Sequence, residues 1–250
     1  MNAKDLVGYL NAYLAIDRYA DRSNNGLQIQ CPETITRVAF AVDACLASFQ
    51  QAVALGAQLL VVHHGLFWSE PVMLVGAHFE RVRTLIQGGC GLYAAHIPLD
   101  AHPEVGNNAQ LARIAELKDI QPWGSHKGAL IGVIGELDTR LDAEAFADRI
   151  CKRLGALARV QAAPGATCRR VAVCSGFGVT LLDEALRAGA DTLLTGETSH
   201  MWHHPVAESG LTVIYGGHYN TETVGLKALA AHLAEQFDLE TVFIDLPTSL

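Results

Sequence analysis

Two adjacent histidines, His63 and His64, follow four aliphatic residues and are themselves followed by Gly65. Inside a strand, neighbouring side chains point to opposite faces, so two adjacent imidazoles could not bind one ion. At the end of a strand, where glycine permits an unusual turn, both imidazoles can face one cavity and reach different points in it. This arrangement suits two neighbouring metal ions with one imidazole each. The simpler alternative is a pair of half-buried histidines bonded to backbone carbonyls.

A carboxylate follows the next predicted strand, in the segment "HIPLDAH". Asp100 lies five residues beyond that strand, in a predicted loop before a helix that is expected to begin near Pro103. Most aspartates in such a place are turn residues or helix caps. His96 and His102 lie close by in sequence, and they make a metal-binding carboxylate an equal alternative. We assign His96 a role in proton transfer or substrate contact.

A histidine and a glutamate four residues apart, His218 and Glu222, follow the glycine pair in "YGGHYNTE". On a helix this spacing places both side chains on one face. The two oxygens of a glutamate can bridge two cations, and an imidazole can complete the shell of one of them. Alternatively, the pair is a surface feature of a helix start, where the helix dipole favours an acidic residue.

The segment "GETSH" carries a further acid and a further histidine, Glu197 and His200. Both are candidates for an acid or base role at the same centre, and a purely structural role is equally open.

Nitrogen and carboxylate ligands without a thiolate suit Zn, Fe, Mn or Co rather than an iron–sulfur cluster. Five ligands with one bridging carboxylate suit two divalent ions about 3.5–4 Å apart that keep open positions for water. Such a pair would make hydroxide available near neutral pH. The predicted metal ligands are His63, His64, Asp100, His218 and Glu222.

Short aliphatic runs alternate with helical patterns, which predicts an α/β fold with mixed sheets flanked by helices. The candidate residues lie where predicted strands end, as expected for sites in parallel α/β sheets. Strands are predicted near 37–42, 58–62, 91–95, 129–135, 157–162, 170–174, 191–195, 211–215 and 241–245. Helices are predicted at 4–14, 45–55, 78–88, 106–115, 142–153, 179–188, 201–209 and 222–236.

An internal repeat relates the segment that begins at Arg37 to the one that begins at Arg170. Superposed without a gap, His63 and His64 fall on Gly196 and Glu197. The repeat predicts two similar α/β domains from an internal duplication and only one dinuclear site, although strand–helix–strand units can also resemble one another by chance. We expect a first domain at 1–125, a second at 126–210, and a C-terminal segment at 211–250 that returns to the first. The segment "QPWGSHKG" (121–128) is the expected boundary.

The composition limits the class of protein. Half of the 250 residues are hydrophobic, and the net charge of −8 argues against nucleic acid as a partner. No apolar run reaches the roughly 20 residues that a membrane helix needs. The first residues suggest an amphipathic helix rather than a secretory signal. Six cysteines without CxxC spacing suggest reduced thiols, and we therefore expect a cytoplasmic protein.

Five segments of the chain resemble the family of GTP cyclohydrolase I type 2 homologues, and its bacterial YbgI-like members in particular. They are "SNNGLQIQ", "VVHHGLFW", "HIPLDAHPEVGNNAQLA", "GGHYNTE" and "VFIDLP". The resemblance implies a toroidal homohexamer, a trimer of dimers, with metal sites that face its central cavity. It also implies the same five ligands, with Glu222 as the bridge, and a role for Asn25 and Gln28 in shaping the site.

The resemblance implies a metal-dependent hydrolase in which activated water attacks C8 of a purine and the ring opens. The sequence contains no Walker A pattern, and Arg81, Arg83 and Lys127 are only isolated candidates for phosphate contact. We therefore expect a small-molecule substrate, either a nucleotide or a cyclic amide, with His96 or His200 moving protons. The alternative is a non-enzymatic metal-binding ring that acts as an interaction scaffold or handles metal. A ring around DNA is the least compatible with the acidic charge.

Overall fold

The computed structural model describes residues 1–155 and 158–248. The fold is mixed α/β, with two mixed sheets flanked by helices, which confirms the predicted class. The strands are β1 (Gly26–Ile29), β2 (Arg37–Asp43), β3 (Leu59–His64), β4 (Gly91–Ala94), β5 (Lys118–His126), β6 (Ala129–Asp142), β7 (Arg159–Gln161), β8 (Thr167–Cys174), β9 (Thr192–Thr195), β10 (Thr212–Tyr215) and β11 (Glu240–Phe243).

The helices lie between these strands at most of the predicted places. They are α1 (Ala3–Tyr13), α2 (Leu46–Ala54), α3 (Gly76–Gln87), α4 (Ile97–Ala101), α5 (Asn107–Ile114), α6 (Ala143–Leu154), α7 (Leu182–Arg187), α8 (His203–Ser209) and α9 (His218–Phe237). Short 3-10 turns occur at Ile16–Arg18, Gly178–Leu181 and His200–Trp202. Among the described residues, none of the helices has both the length and the apolar character that a membrane span requires.

The chain divides into two compact units. Unit 1 contains Met1–Leu99 and Gly225–Leu246, and unit 2 contains Asp100–Val224 with the described residues after Leu246. Gly225–Leu246 thus belongs to unit 1, where β11 pairs with β2.

Unit 1 contains a five-stranded sheet in the order β1-β4-β3-β2-β11. In this sheet β4, β3, β2 and β11 are parallel to one another, and β1 is antiparallel to β4. Phe49 of α2 and Leu85 of α3 belong to one buried cluster with Leu60 and Val62 of β3. The aliphatic run of β3 is buried throughout, as expected for a parallel strand that is covered on both faces.

Unit 2 contains a six-stranded sheet in the order β5-β6-β8-β9-β10-β7. Its centre, β8-β9-β10, is parallel, while β5, β6 and β7 are paired antiparallel. Phe146 of α6 belongs to one buried cluster with Val171, Leu194 and Ile214 of the three parallel strands.

The internal repeat is preserved in the register of the strands. Val38 pairs with Leu59 in unit 1, and Val171 pairs with Thr192 in unit 2, each pair 21 positions apart. The glycine before the second strand of each repeat has a positive φ, 68° at one position and 71° at the other. Two α/β halves of one design are therefore present in backbone geometry as well as in sequence.

The predicted boundary segment 121–128 does not form a linker. Most of it is strand β5, which pairs with β6 at the edge of the second sheet. Pro122 is tolerated because an edge strand leaves some of its N–H positions without a ladder partner. The chain passes from one compact unit to the other after Leu99 and again after Val224. The three-part division at 125 and 210 stays a prediction.

Candidate functional site

The candidate residues of unit 1 follow the carboxyl ends of three adjacent parallel strands. Asp43 and His64 are the last residues of β2 and β3, and His96 lies two residues after β4. Because β2, β3 and β4 are parallel neighbours, their ends meet at one edge of the sheet. This edge brings together side chains that are far apart in sequence.

Three imidazoles form a candidate metal-binding cluster in unit 1. One ring nitrogen from each of His63, His64 and His96 lies within 4.8 Å of the others. The ring centroids of His63 and His64 are 4.8 Å apart, so the two adjacent side chains do approach each other where the strand ends. His96, for which the sequence suggested proton transfer, offers a nitrogen to the same cluster.

The orientation of the histidine pair is set by hydrogen bonds at Nδ1. The Nδ1 atom of the buried His63 lies 3.1 Å from the carbonyl oxygen of Ala95. The Nδ1 atom of His64 lies 2.8 Å from a carboxylate oxygen of Asp43, its direct partner across β2 and β3. An acceptor at Nδ1 places the proton there, which leaves Nε2 as the nitrogen for a metal.

His96 is held in the same way by a buried carboxylate. Both oxygens of Asp21 lie 3.0 Å from Nδ1 of His96. Asp21 also accepts hydrogen bonds from the side chain of Asn25 and from the backbone N–H groups of Ser23 and Ile97. Burial raises the pKa of Asp21, but the hydrogen bond and charge of His96 and the hydrogen bond from Asn25 outweigh it and hold the pKa well below its ordinary value.

Asn25 and Gln28, which the resemblance placed near the site, connect its loops. Asn25 accepts a hydrogen bond from the backbone N–H of His96 at 2.9 Å. Gln28 accepts hydrogen bonds from the backbone N–H groups of Leu66 and Phe67 at 2.8 and 3.1 Å. Both amides therefore fix backbone that carries or follows the histidines.

Gly65 is required for a different reason than the sequence suggested. Its φ lies outside the left-handed region, so the expected unusual turn at this glycine is wrong. A Cβ at this position would instead collide with the Nε2 atom of Gln28 and the Cβ of Ala94. The glycine allows the chain after His64 to approach these side chains.

Asp100, the first candidate ligand of unit 2, lies in helix α4 and not in the predicted loop. Pro98 is compatible with this helix because it lies in the first turn, where the N–H that proline lacks would have no helical partner. The carboxylate is 7% exposed, and one of its oxygens accepts hydrogen bonds from Ser175 at 2.7 Å and Asn107 at 2.9 Å. Because both donors bind the same oxygen of Asp100, they fix the direction of its second carboxylate oxygen.

Asn107 and Asn108 begin helix α5, later than the expected start near Pro103. The side chain of Asn108 accepts a hydrogen bond from the backbone N–H of Ser175 and donates to the carbonyl of Ile131. Ser175 was not anticipated, and its position directly after β8 is the one sequence signal that could have indicated it.

His218 begins α9 and Glu222 lies one turn further along it, on the same face, as their spacing predicted. The Nε2 atom of His218 lies 3.2 Å from a Glu222 oxygen, and its Nδ1 atom lies 2.9 Å from an oxygen of Glu197. Burial lowers the pKa of His218, but the two carboxylates outweigh it and raise the pKa to about 9. Glu197 is therefore a direct partner of a predicted ligand.

Two glycines leave room for this pair. A Cβ on Gly176 would collide with Glu222, and one on Gly196 would lie 2.9 Å from the Cα of His218. Gly176 also has a φ of 57°, which side chains rarely adopt. These glycines follow β8 and β9, so the backbone after both strands can lie close to His218 and Glu222.

Cys174 lies in the electrostatic field of two candidate carboxylates. Cys174 is buried, and burial together with the negative charges of Asp100 and Glu222 raises the pKa of its thiol. All six cysteines are free, as expected.

The two other candidate histidines have separate surroundings. His102 is buried, and its Nδ1 atom accepts hydrogen bonds from the backbone N–H groups of Glu104 and Val105, which is a turn-forming role. His200 is exposed at the start of a 3-10 turn and lines a cleft with Arg159. Its predicted acid or base role stays a prediction.

We expect Gly65→Ala to lower the free energy of unfolding by about 2 kcal/mol, because the added methyl group overpacks the contact with Gln28 and Ala94. Gly8→Ala is the control, since Gly8 has open space around it in α1 and alanine favours the helix. Urea unfolding of both variants measures the difference. Equal stability of Gly65→Ala and the wild type would contradict the required close approach.

We expect Asp21→Asn to cost about 2 kcal/mol of stability, because a buried carboxylate that orients His96 is lost. Asp148→Asn removes the same charge from an exposed position of α6 and should change stability by less than about 0.5 kcal/mol. Thermal unfolding of the two variants tests this. An Asp21 variant as stable as the Asp148 variant would show that the bonds around Asp21 contribute little.

Several known proteins are similar to this chain over nearly its whole length. A protein of Deinococcus radiodurans named GTP cyclohydrolase 1 type 2 homolog is 49% identical over 246 residues, which cover 98% of this chain and 94% of that protein. The crystal structure of a Thermus thermophilus protein matches with a TM-score of 0.93 and 44% identity over the whole of both chains. The structure of protein ybgI, described as of unknown function, matches over both whole chains with a TM-score of 0.90 and 36% identity.

The Duf34/NIF3 family (NGG1p interacting factor 3) matches residues 1–249, nearly the full length of the chain. The resemblance seen in the sequence is thereby confirmed. The chain belongs to the Duf34/NIF3 family, which includes the proteins named GTP cyclohydrolase 1 type 2 homologues.

Proposed function

We propose that the protein is a dinuclear metal-dependent hydrolase. In this proposal two divalent ions, Zn, Fe, Mn or Co, are bound by His63, His64, Asp100, His218 and Glu222. The observation that carries it is the clustering of imidazoles in unit 1, whose Nδ1 atoms all have protein acceptors. Histidines that bind metals usually donate their other ring nitrogen in this way.

The donor set of each unit fits divalent transition metals. Unit 1 offers imidazole nitrogens backed by Asp43 and Asp21, and unit 2 offers the buried carboxylates Asp100 and Glu222 beside His218. Imidazole and carboxylate without thiolate suit these ions. When bound, a pair of divalent ions lowers the pKa of water and polarises an electrophile.

Residues beside the ligands are proposed to handle protons. Asp21 keeps the Nδ1 proton on His96, so Nε2 of His96 is the nitrogen that can accept or donate a proton. A carboxylate oxygen of Glu197 lies 2.9 Å from Nδ1 of His218, within reach for proton transfer. We propose His96 and Glu197 as acid or base groups, with His200 as the third candidate.

A nucleotide-like substrate is proposed from the relatives, several of which are named GTP cyclohydrolase 1 type 2 homologues. The bond to be cleaved would be a carbon–nitrogen bond of a cyclic amidine or amide. Such a bond requires a nucleophile at carbon and a proton for the leaving nitrogen, and the proposed proton-handling groups supply the second requirement.

We also propose the homohexamer that the family resemblance implies and the cytoplasmic location that the cysteines suggested. Large apolar side chains that are exposed in unit 1 support self-association: Met73, Val75 and Ile86 are 76%, 69% and 64% exposed. The free cysteines support a reducing compartment.

Elemental analysis of the purified protein tests the ligand set. We expect about two divalent ions per chain in the wild type, and a loss of at least half in His64→Ala and in Asp100→Asn. His204→Ala, which removes an exposed histidine, should keep the wild-type content. Full metal content in both ligand variants would contradict the proposed set.

Turnover of a panel of nucleotides and cyclic amides tests catalysis. Glu222→Gln should abolish turnover without unfolding the protein, as judged by circular dichroism. His96→Ala separates two roles: a proton-transfer residue leaves metal content unchanged while kcat falls by about 10²-fold or more. A parallel loss of metal would instead make His96 a ligand, as its place in the imidazole cluster permits. Wild-type turnover by Glu222→Gln would overturn the hydrolase proposal.

A further inference from the structure

A polar cleft of about 280 Å³ lies in unit 2, along the edge strand β7 and beside the segment that follows β9. Its described lining consists of one arginine, two histidines, two hydroxyl side chains and one amide, with no carboxylate. These residues are Arg159, Gln161, Thr198, Ser199, His200 and His203. A lining with hydrogen-bond donors and without acids is suited to an anion, although the chain as a whole carries a charge of −8.

The cationic group of the cleft is held in place. Arg159 and Gln161 are two residues apart on the edge strand β7, so they share one face of the sheet. The guanidinium carbon of Arg159 lies 5.7 Å from the centre of the Tyr215 ring. This stacking positions the guanidinium, and its fork of N–H donors matches the geometry of phosphate oxygens. No described carboxylate forms an ion pair with Arg159.

The floor of the cleft is fixed by hydrogen bonds on both sides of the Gln161 amide. Its nitrogen donates to the carbonyl of His203 at 2.8 Å, and its oxygen accepts from the Tyr215 hydroxyl at 3.2 Å. Gln161 is therefore a brace, and the donors available to a ligand are those of Arg159 and of the segment 198–200. That segment comes directly after Glu197, the partner of His218.

A second cleft of about 260 Å³ adjoins the first, because Gln161 and His203 line both. Apolar side chains, among them Ala162, Val206 and Leu211, form much of its wall. An anion-binding compartment next to an apolar one fits a ligand that carries phosphate on one end and a flat ring on the other.

We propose that the cleft lined by Arg159 and the segment 198–200 binds the phosphate groups of a nucleotide-like ligand. The identity of that ligand as the substrate rests on the proposed hydrolase function. The binding itself does not, because the cleft contains none of the five proposed metal ligands. From the sequence, only isolated basic residues such as Arg81, Arg83 and Lys127 were candidates for phosphate contact. The proposed site places this contact in the cleft instead.

Calorimetric titration of the metal-free, full-length protein with tripolyphosphate and with GTP tests the proposal. Metal removal prevents these probes from binding through the ions. We expect saturable binding of both probes, and Arg159→Gln should weaken it at least about tenfold because a charge-assisted contact is lost. Arg187→Gln removes the same charge from an exposed position of α7 in the same unit and should change affinity less than about twofold.

Competition and kinetics distinguish a phosphate of the substrate from a separate phosphate ligand. If the cleft holds the phosphate of the substrate, tripolyphosphate competes with it, and Arg159→Gln raises KM without lowering metal content. Saturable binding that depends on Arg159 would support the site whatever the result of the turnover experiment. Equal turnover by Glu222→Gln and the wild type would refute only the hydrolase proposal. No saturable binding at 10 mM probe (roughly a thousandfold above a 10 μM Kd), or equal binding by both arginine variants, would overturn the proposal.

Discussion

The hydrogen bond at Nδ1 of each candidate imidazole is the interaction on which the site of unit 1 depends. A histidine side chain by itself can turn and can carry its proton on either nitrogen. The Ala95 carbonyl, Asp43 and Asp21 remove both freedoms from His63, His64 and His96, respectively. Their Nε2 atoms are therefore prepared before any ion arrives, which lowers the cost of assembling a metal site.

These acceptors are available because of parallel strand pairing. Asp43 and His64 are direct partners in β2 and β3, and Ala95 lies at the end of the neighbouring strand β4. A shift of one residue in the register would turn the carboxylate to the other face of the sheet. The buried aliphatic runs that fix this register thus support the chemistry as well as the core.

Unit 2 uses the same design with different side chains. Where the first repeat has a histidine pair, the second has Gly196 and Glu197, and the exits of its strands carry Ser175 and His218 instead. The glycines make room for the carboxylate of Glu222, and the acids raise the pKa of His218 to about 9. The duplication thus preserved the scaffold, while one copy became a source of imidazoles and the other a source of carboxylates and their partners.

The sequence by itself determined the α/β class, the repeat and the family, because periodic hydrophobicity and short ligand motifs are local properties of the chain. It also indicated the turn of helix that joins His218 to Glu222. The tertiary structure alone decided which groups orient the candidates. Asp21 and His96 are 75 positions apart, as are Asp100 and Ser175, and no local pattern encodes such contacts. The edge strand β5 and the helical place of Asp100 were missed for a related reason: pairing and packing overrode the loop-like composition of those segments.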